Sequence, residues 1–242
     1  MCYLSPPSDR GDQPHLPEKG LLSMYSSLAD TTDPLPARLL AFIQPQPAWH
    51  VLNITTDDRQ AALACAPYVA ELAEMRLDSA EFLPLPYAPA AFDLVISRLA
   101  AHHFPDIAAC LDEIARVLRP GGWCGLIDNL APADEKAADY LNAFERLRDP
   151  THRRCLSLDE WRRQLYSAGL ELQEQVSQTV ELDFEAWLSR QPVQPLNHLR
   201  LRAMLLQAPR AAQAHLTPHQ LGDRIAFHLQ RGLLISRRPD VP

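Results

Sequence analysis

An α/β fold with a doubly wound, mostly parallel sheet is what this sequence predicts, on three observations. In residues 92–130 a strand, a helix and a second strand can each be read with their boundaries. A further strand–helix pair lies upstream, over residues 50–66. The chain has 242 residues, 47% of them hydrophobic. That is enough to bury the core of one such domain with a small appendage, rather than of two equal domains.

Taken in order, residues 1–20 carry Pro6, Pro7, Pro14 and Pro17 among polar and charged side chains. That composition favours extended chain, so a disordered tail is expected there, with one domain over residues 21–242. A short helix is expected at 21–28. Another is expected at 36–43, where Pro36 suits a first helical turn. Residues 50–54 read as the first strand, and 58–66 as a helix with Ala62, Leu63 and Ala66 on its apolar face. Residues 92–97 form an apolar run ending in Ser97 and Arg98, the pattern of a strand buried on both faces that opens into a loop. Beyond Asp106, the residues Ile107, Cys110, Leu111, Ile114, Val117 and Leu118 recur at three- and four-residue steps and share one helix face. Pro120, Gly121 and Gly122 then end the helix, and 123–127 is the next strand. A right-handed strand–helix–strand unit brings Asp128 and Asn129 to the sheet edge that also holds Ser97, His102 and His103. In open α/β sheets, ligands sit at that edge. Further on, 134–148 and 157–168 have helical periodicity, with antiparallel strands near 170–180 and 224–235. Between those strands, helices over about 183–215 are expected to cover the substrate edge.

Composition excludes several classes. The formal net charge of -7 disfavours nucleic-acid binding. Cys2, Cys65, Cys110, Cys124 and Cys155 are odd in number and widely spaced, without a CxxC pair, which suits reduced thiols in a cytoplasmic protein. No apolar run is long enough to span a membrane. The arginines Arg200, Arg202, Arg210, Arg224, Arg231, Arg237 and Arg238 make the C-terminal end basic, as a solvated face or as an anion or partner surface.

The run DLVISRLAAHHFPD, the helix ending in EIARVLRPGG and the strand ending in LIDNLAP together resemble the class I S-adenosylmethionine (SAM) dependent methyltransferases. Within them the chain is most similar to the type 11 group that includes the ubiquinone/menaquinone-biosynthesis C-methyltransferases. The resemblance implies a Rossmann-like fold, SAM as cofactor and a small-molecule substrate. It also implies that Asn53, Asp57, Asp58, Arg59, Asp78, Ser79 and Ser97 occupy the positions of the family's SAM site. In the family the first strand-to-helix turn carries an acidic residue and closely spaced glycines, because backbone must approach the ligand where a Cβ atom would intrude. Here the acid is replaced by Asn53 and the glycines by Asp57, Asp58 and Arg59. Two carboxylates there would face the carboxylate of SAM, although Arg59 can offset them, and Thr56 or Asp57 can equally cap the helix. Between Pro67 and Phe92 there is no room for a second strand, a crossover helix and a third strand. A shortened or missing second strand is therefore expected, with residues 75–86 matching the family's third strand and Glu71 or Glu74 as substitutes for its ribose-binding acid. The residues thus imply that SAM use is impaired or absent.

His102 or His103 is a candidate general base, since imidazole titrates near neutral pH; either can instead be a packed, hydrogen-bonded histidine. Asp128 either orients that histidine, binds a substrate hydroxyl or caps the next helix. Spacing supplies no third convergent ligand, so no metal is expected. Three functional classes remain open at this level: an active methyltransferase with a rebuilt pocket, a non-catalytic partner forming a homo- or heterodimer with a related methyltransferase, and a SAM-independent cyclase or lyase.

Overall fold

The computed structural model describes residues 33–56, 60–77 and 83–240. The expected tail, the expected helix at 21–28 and the positions Asp57, Asp58, Arg59, Asp78 and Ser79 lie outside these residues. In chain order the elements are α1 (Leu35–Ile43), β1 (His50–Thr55), α2 (Gln60–Cys65), β2 (Glu71–Arg76), β3 (Phe92–Arg98), α3 (Ile107–Val117), β4 (Leu118–Leu130), α4 (Glu135–Arg148) and α5 (Leu158–Ser167). They continue with β5 (Glu171–Asp183), α6 (Phe184–Leu188), α7 (Pro195–Leu206), α8 (Arg210–Leu216), β6 (His219–Leu221) and β7 (Arg224–Arg237). The sheet runs in the order β2-β1-β3-β4-β7-β5, with β6 paired to β7. β2, β1, β3 and β4 are parallel, whereas β7 is antiparallel to β4, β5 and β6.

Each face of the sheet buries a separate apolar cluster. Leu52, Ile54 and Val95 pack with Leu111 and Ile114 of α3 and Trp161 of α5 on one face. Val51, Leu94, Ile96 and Ile127 pack with Leu39 and Leu40 of α1 and Ala61 of α2 on the other. Fully burying side chains of this size stabilises by roughly 1.5–3 kcal/mol each, which is why the central strands hold apolar residues in both phases of the pleat. Gly125 lets α1 settle onto β4, because a Cβ there would lie 2.6 Å from Leu39 Cδ1. α3 begins at Asp106, whose carboxylate accepts the Ala109 N–H at 3.1 Å. It ends at Val117, and the chain turns through Gly121 at φ 73°. β4 starts earlier than the sequence suggested, because Leu118 already pairs with Phe92.

The region outside β1 is where the sheet is reduced. Among the described residues, one strand lies there, and it is Glu71–Arg76 rather than residues 75–86. It pairs directly with β1 from His50↔Glu71 to Thr55↔Arg76. Glu71 therefore sits at the sheet edge opposite the ligand edge and cannot replace a ribose-binding acid. At the other end, α6, α7 and α8 form a third layer with α4 around Phe144, Trp187 and Phe227. The Phe144 and Trp187 rings stack with centroids 4.9 Å apart.

Candidate functional site

The C-terminal ends of β3 and β4 position a buried acid–histidine pair. β4 carries Asp128 into the interior, with 1% of its surface exposed. It does not cap the following helix; Asp134 does, accepting the Ala137 N–H. Instead Asp128 Oδ2 accepts the backbone N–H of His102 at 2.9 Å, and Oδ1 accepts the Asn129 N–H at 2.7 Å. His102 Nδ1 lies 2.5 Å from Asp128 Oδ1, so the ring donates to the carboxylate and is fixed in orientation. Burial alone would push the His102 imidazole down. The Asp128 charge and hydrogen bond outweigh it, with help from Glu145, and the imidazole is raised above its ordinary value. Burial likewise works against the Asp128 carboxylate, and His102 and two backbone N–H donors hold it below the ordinary range.

His103 stands beside this pair, its ring centroid 4.2 Å from that of His102. The loop after α4 reaches back to it. Asp149 Oδ1 accepts the Thr151 hydroxyl at 2.6 Å, so that hydroxyl can only accept from His103 Nδ1, 3.0 Å away. His103 Nε2 is left with the lone pair. Burial and then the neighbouring His102 push the His103 imidazole below its usual value. A third ring, His152, is buried against Asn142 Oδ1 at 2.9 Å and is pushed down to about 3 by burial and by His102 and His103. Sequence reading missed Thr151, His152 and Asp149. Their one sequence trace is a polar loop, turned by Pro150, between two helices. The loop is tied to the site by the Arg153 N–H donating to the His102 carbonyl at 2.8 Å.

A cavity of about 770 Å³ opens over these groups, lined by His102, His103, Asn129, Asp149, Thr151 and Trp187 and reaching Thr56, Arg76 and Leu77 at the ends of β1 and β2. Its charged lining is mostly cationic: Arg76, Arg148, Arg153, Arg190 and Arg231 against Asp149. Arg231, expected on a solvated face or an anion or partner surface, is buried and paired at 3.0 Å with Asp33. Asn53 and Ser97 are both buried at 1% exposure. Among the described residues, neither the Asn53 amide nor the Ser97 hydroxyl has a hydrogen-bond partner. The four described cysteines are unpaired and buried, with Cys65, Cys110 and Cys124 pushed up to about 12 by burial. They are inert packing thiols. No described helix is long and apolar enough to cross a membrane.

Comparison with known proteins agrees with this topology. Residues 36–126 match the family described as "methyltransferase domain". The chain is 30% identical over 162 residues to the uncharacterized methyltransferase YcgJ of Bacillus subtilis, a stretch covering 58% of this chain and 64% of YcgJ. It is 35% identical over 172 residues to 27-O-demethylrifamycin SV methyltransferase of Amycolatopsis mediterranei, covering 66% and 58% of the two chains. The matched stretch is thus under two thirds of either relative's own length. Among solved structures, a methyltransferase candidate of Bacillus halodurans, BH2331, superposes with a TM-score of 0.76 at 28% identity, over 84% of this chain and 98% of that one. The chain therefore has the class I methyltransferase Rossmann-like fold and resembles SAM-dependent methyltransferases over residues 36–126.

Proposed function

We propose that this protein keeps the small-molecule cleft and acid–base groups of its family, and that its use of SAM is impaired. The observation that carries this reading is the register Thr55↔Arg76. In the resembled family, the strand beside the first one ends in a carboxylate that holds the ribose hydroxyls. Here the strand in that place ends in a cation and Leu77, and both line the cavity. Beside it, the neutral Asn53 stands for an acid, and the sequence supplies no glycine from 53 to 59. A ribose diol requires acceptors and the methionine moiety requires bare backbone. The residues present do not fit SAM held in the usual way.

The chain's own chemistry lies in the two neighbouring histidines, which their surroundings push in opposite directions. Such divergence suggests roles: the group pushed down accepts a proton, and the one pushed up donates or stabilises negative charge. His103, with Nδ1–H committed to Thr151, presents Nε2 as a base to an acidic hydroxyl or enol. His102, paired with Asp128, stabilises the anion that results. Arg153 and Arg190 in the lining favour a substrate that is itself anionic. Calorimetric titration of the full chain with SAM and with S-adenosylhomocysteine tests this reading. The expected result is no saturable heat up to millimolar ligand. Dissociation constants in the micromolar range would establish instead an active methyltransferase with a rebuilt pocket, a reading favoured by the 35% identity to a rifamycin O-methyltransferase.

A further inference from the structure

We propose that Glu181, His219 and His228 form a binding site for a divalent transition metal such as Zn²⁺, made of residues other than the His102–His103 pair. Among the described residues, these three bring one ligand atom each to within 4.8 Å of one another. Strand register creates the cluster. Glu181 on β5 is directly opposite His228 on β7. His219 on β6 is opposite Ala226, two residues from His228 along β7 and so on the same face of the pleat. Three adjacent strands therefore each contribute one ligand to a single surface.

The geometry suits a shared cation. Glu181 Oε2 lies 3.1 Å from His219 Nε2 and 3.6 Å from His228 Nε2. Ligand atoms about 2.0–2.2 Å from a tetrahedral zinc are about 3.3–3.5 Å apart, so little movement separates this arrangement from coordination. The outer nitrogens are already engaged by one residue. Thr217 accepts the His219 Nδ1–H on its carbonyl at 3.0 Å, and its hydroxyl bonds His228 Nδ1. Such second contacts fix which nitrogen faces a metal. They also pose an electrostatic problem that a metal resolves. With its Nδ1 proton given to Thr217, a neutral His219 points a lone pair at a carboxylate, and either a metal ion between them or a second proton on the ring makes that contact attractive. Two imidazoles and one carboxylate favour zinc, nickel or copper over the hard ions magnesium and calcium. The side chains are 36%, 26% and 50% exposed for His219, His228 and Glu181, so water can complete the shell.

The test is calorimetric titration of EDTA-treated full-length protein with zinc chloride, with magnesium chloride as control. One zinc per chain is expected at a dissociation constant of about 10 µM or tighter, with no magnesium heat. His219→Ala and His228→Ala should each weaken zinc binding at least tenfold, and Glu181→Gln several-fold. Thr217→Val, which removes only the outer hydroxyl, should give an intermediate loss. No saturable zinc binding below 100 µM would overturn the site. So would zinc binding unchanged in both histidine variants, which would place the metal elsewhere.

Discussion

The two halves of the ligand edge differ in how completely the protein satisfies its own polar groups. Over β3 and β4, Asp128 accepts three hydrogen bonds, and Thr151 links His103 to Asp149. Over β1 and β2, the amide of Asn53 has no partner among the described residues, and the strand beside it ends in Arg76. The apolar framework continues unbroken beneath both halves. The two halves thus share one apolar framework and differ in how their polar groups are paired.

The strongest way to break this comparison is to remove its best-satisfied group. Asp128→Ala leaves His102 buried beside an empty place, and cutting one partner from a buried pair costs about 3–5 kcal/mol. Calorimetric melting should show a fall of roughly 6–20 °C; a loss below 1 kcal/mol would mean that the pair is well solvated.

Next in size is an effect of acid on the same half. His152 is about 3 in the fold against an ordinary 6.5. Its neutral burial contributes stability that is present above pH 6.5 and lost as pH falls from there towards 3. By pH 4 the loss from this residue is about 3 kcal/mol. Unfolding free energies from urea titrations of wild type and His152→Gln, measured from pH 7 to pH 4, should converge by about that amount.

Asp128→Asn sharpens the comparison further through pH. His102 is raised in the fold, so its contribution is fully present below pH 6.5 and lost as pH rises through the folded value. Asp128 is lowered, so its contribution is present above pH 3.8 and lost as pH falls through the folded value. The wild-type advantage over Asp128→Asn should therefore peak between about pH 4 and 6.5 and decline on both sides. A difference that stays flat well below and well above that range would mean that the two groups do not titrate together. Smallest is Arg76→Ala on the other half: Arg76 is exposed, and its loss should change stability by no more than about 0.5 kcal/mol.

Much of the framework was legible because it follows periodicities. The step of three and four after Asp106 gave α3 to within a residue or two, and the apolar run at 92–97 gave β3. The reduced sheet outside β1 was legible from length alone, since a strand, a crossover helix and a further strand do not all fit between Pro67 and Phe92. His102 and Asp128 could be placed at one edge, yet whether Asp128 would cap a helix or hold the ring depended on a backbone turn that no local pattern encodes. Thr151, Asp149 and His152 were missed because they reach the site through a loop between helices. Glu181, His219 and His228 were missed for a related reason. Spacing finds ligands along one element, and these three meet only through the register of three strands.

The carboxylate of Asp33 receives Arg98 from β3 at 2.5 Å, Arg231 from β7 at 3.0 Å and the Gln178 amide from β5 at 2.9 Å, just ahead of α1. A segment that looks dispensable, lying before the first described helix, thus neutralises two guanidinium groups in the interior. Anyone trimming the front of this chain for expression should cut before that aspartate. A version beginning at Leu35 would remove the carboxylate that Arg98, Arg231 and Gln178 share, and it should melt at a lower temperature.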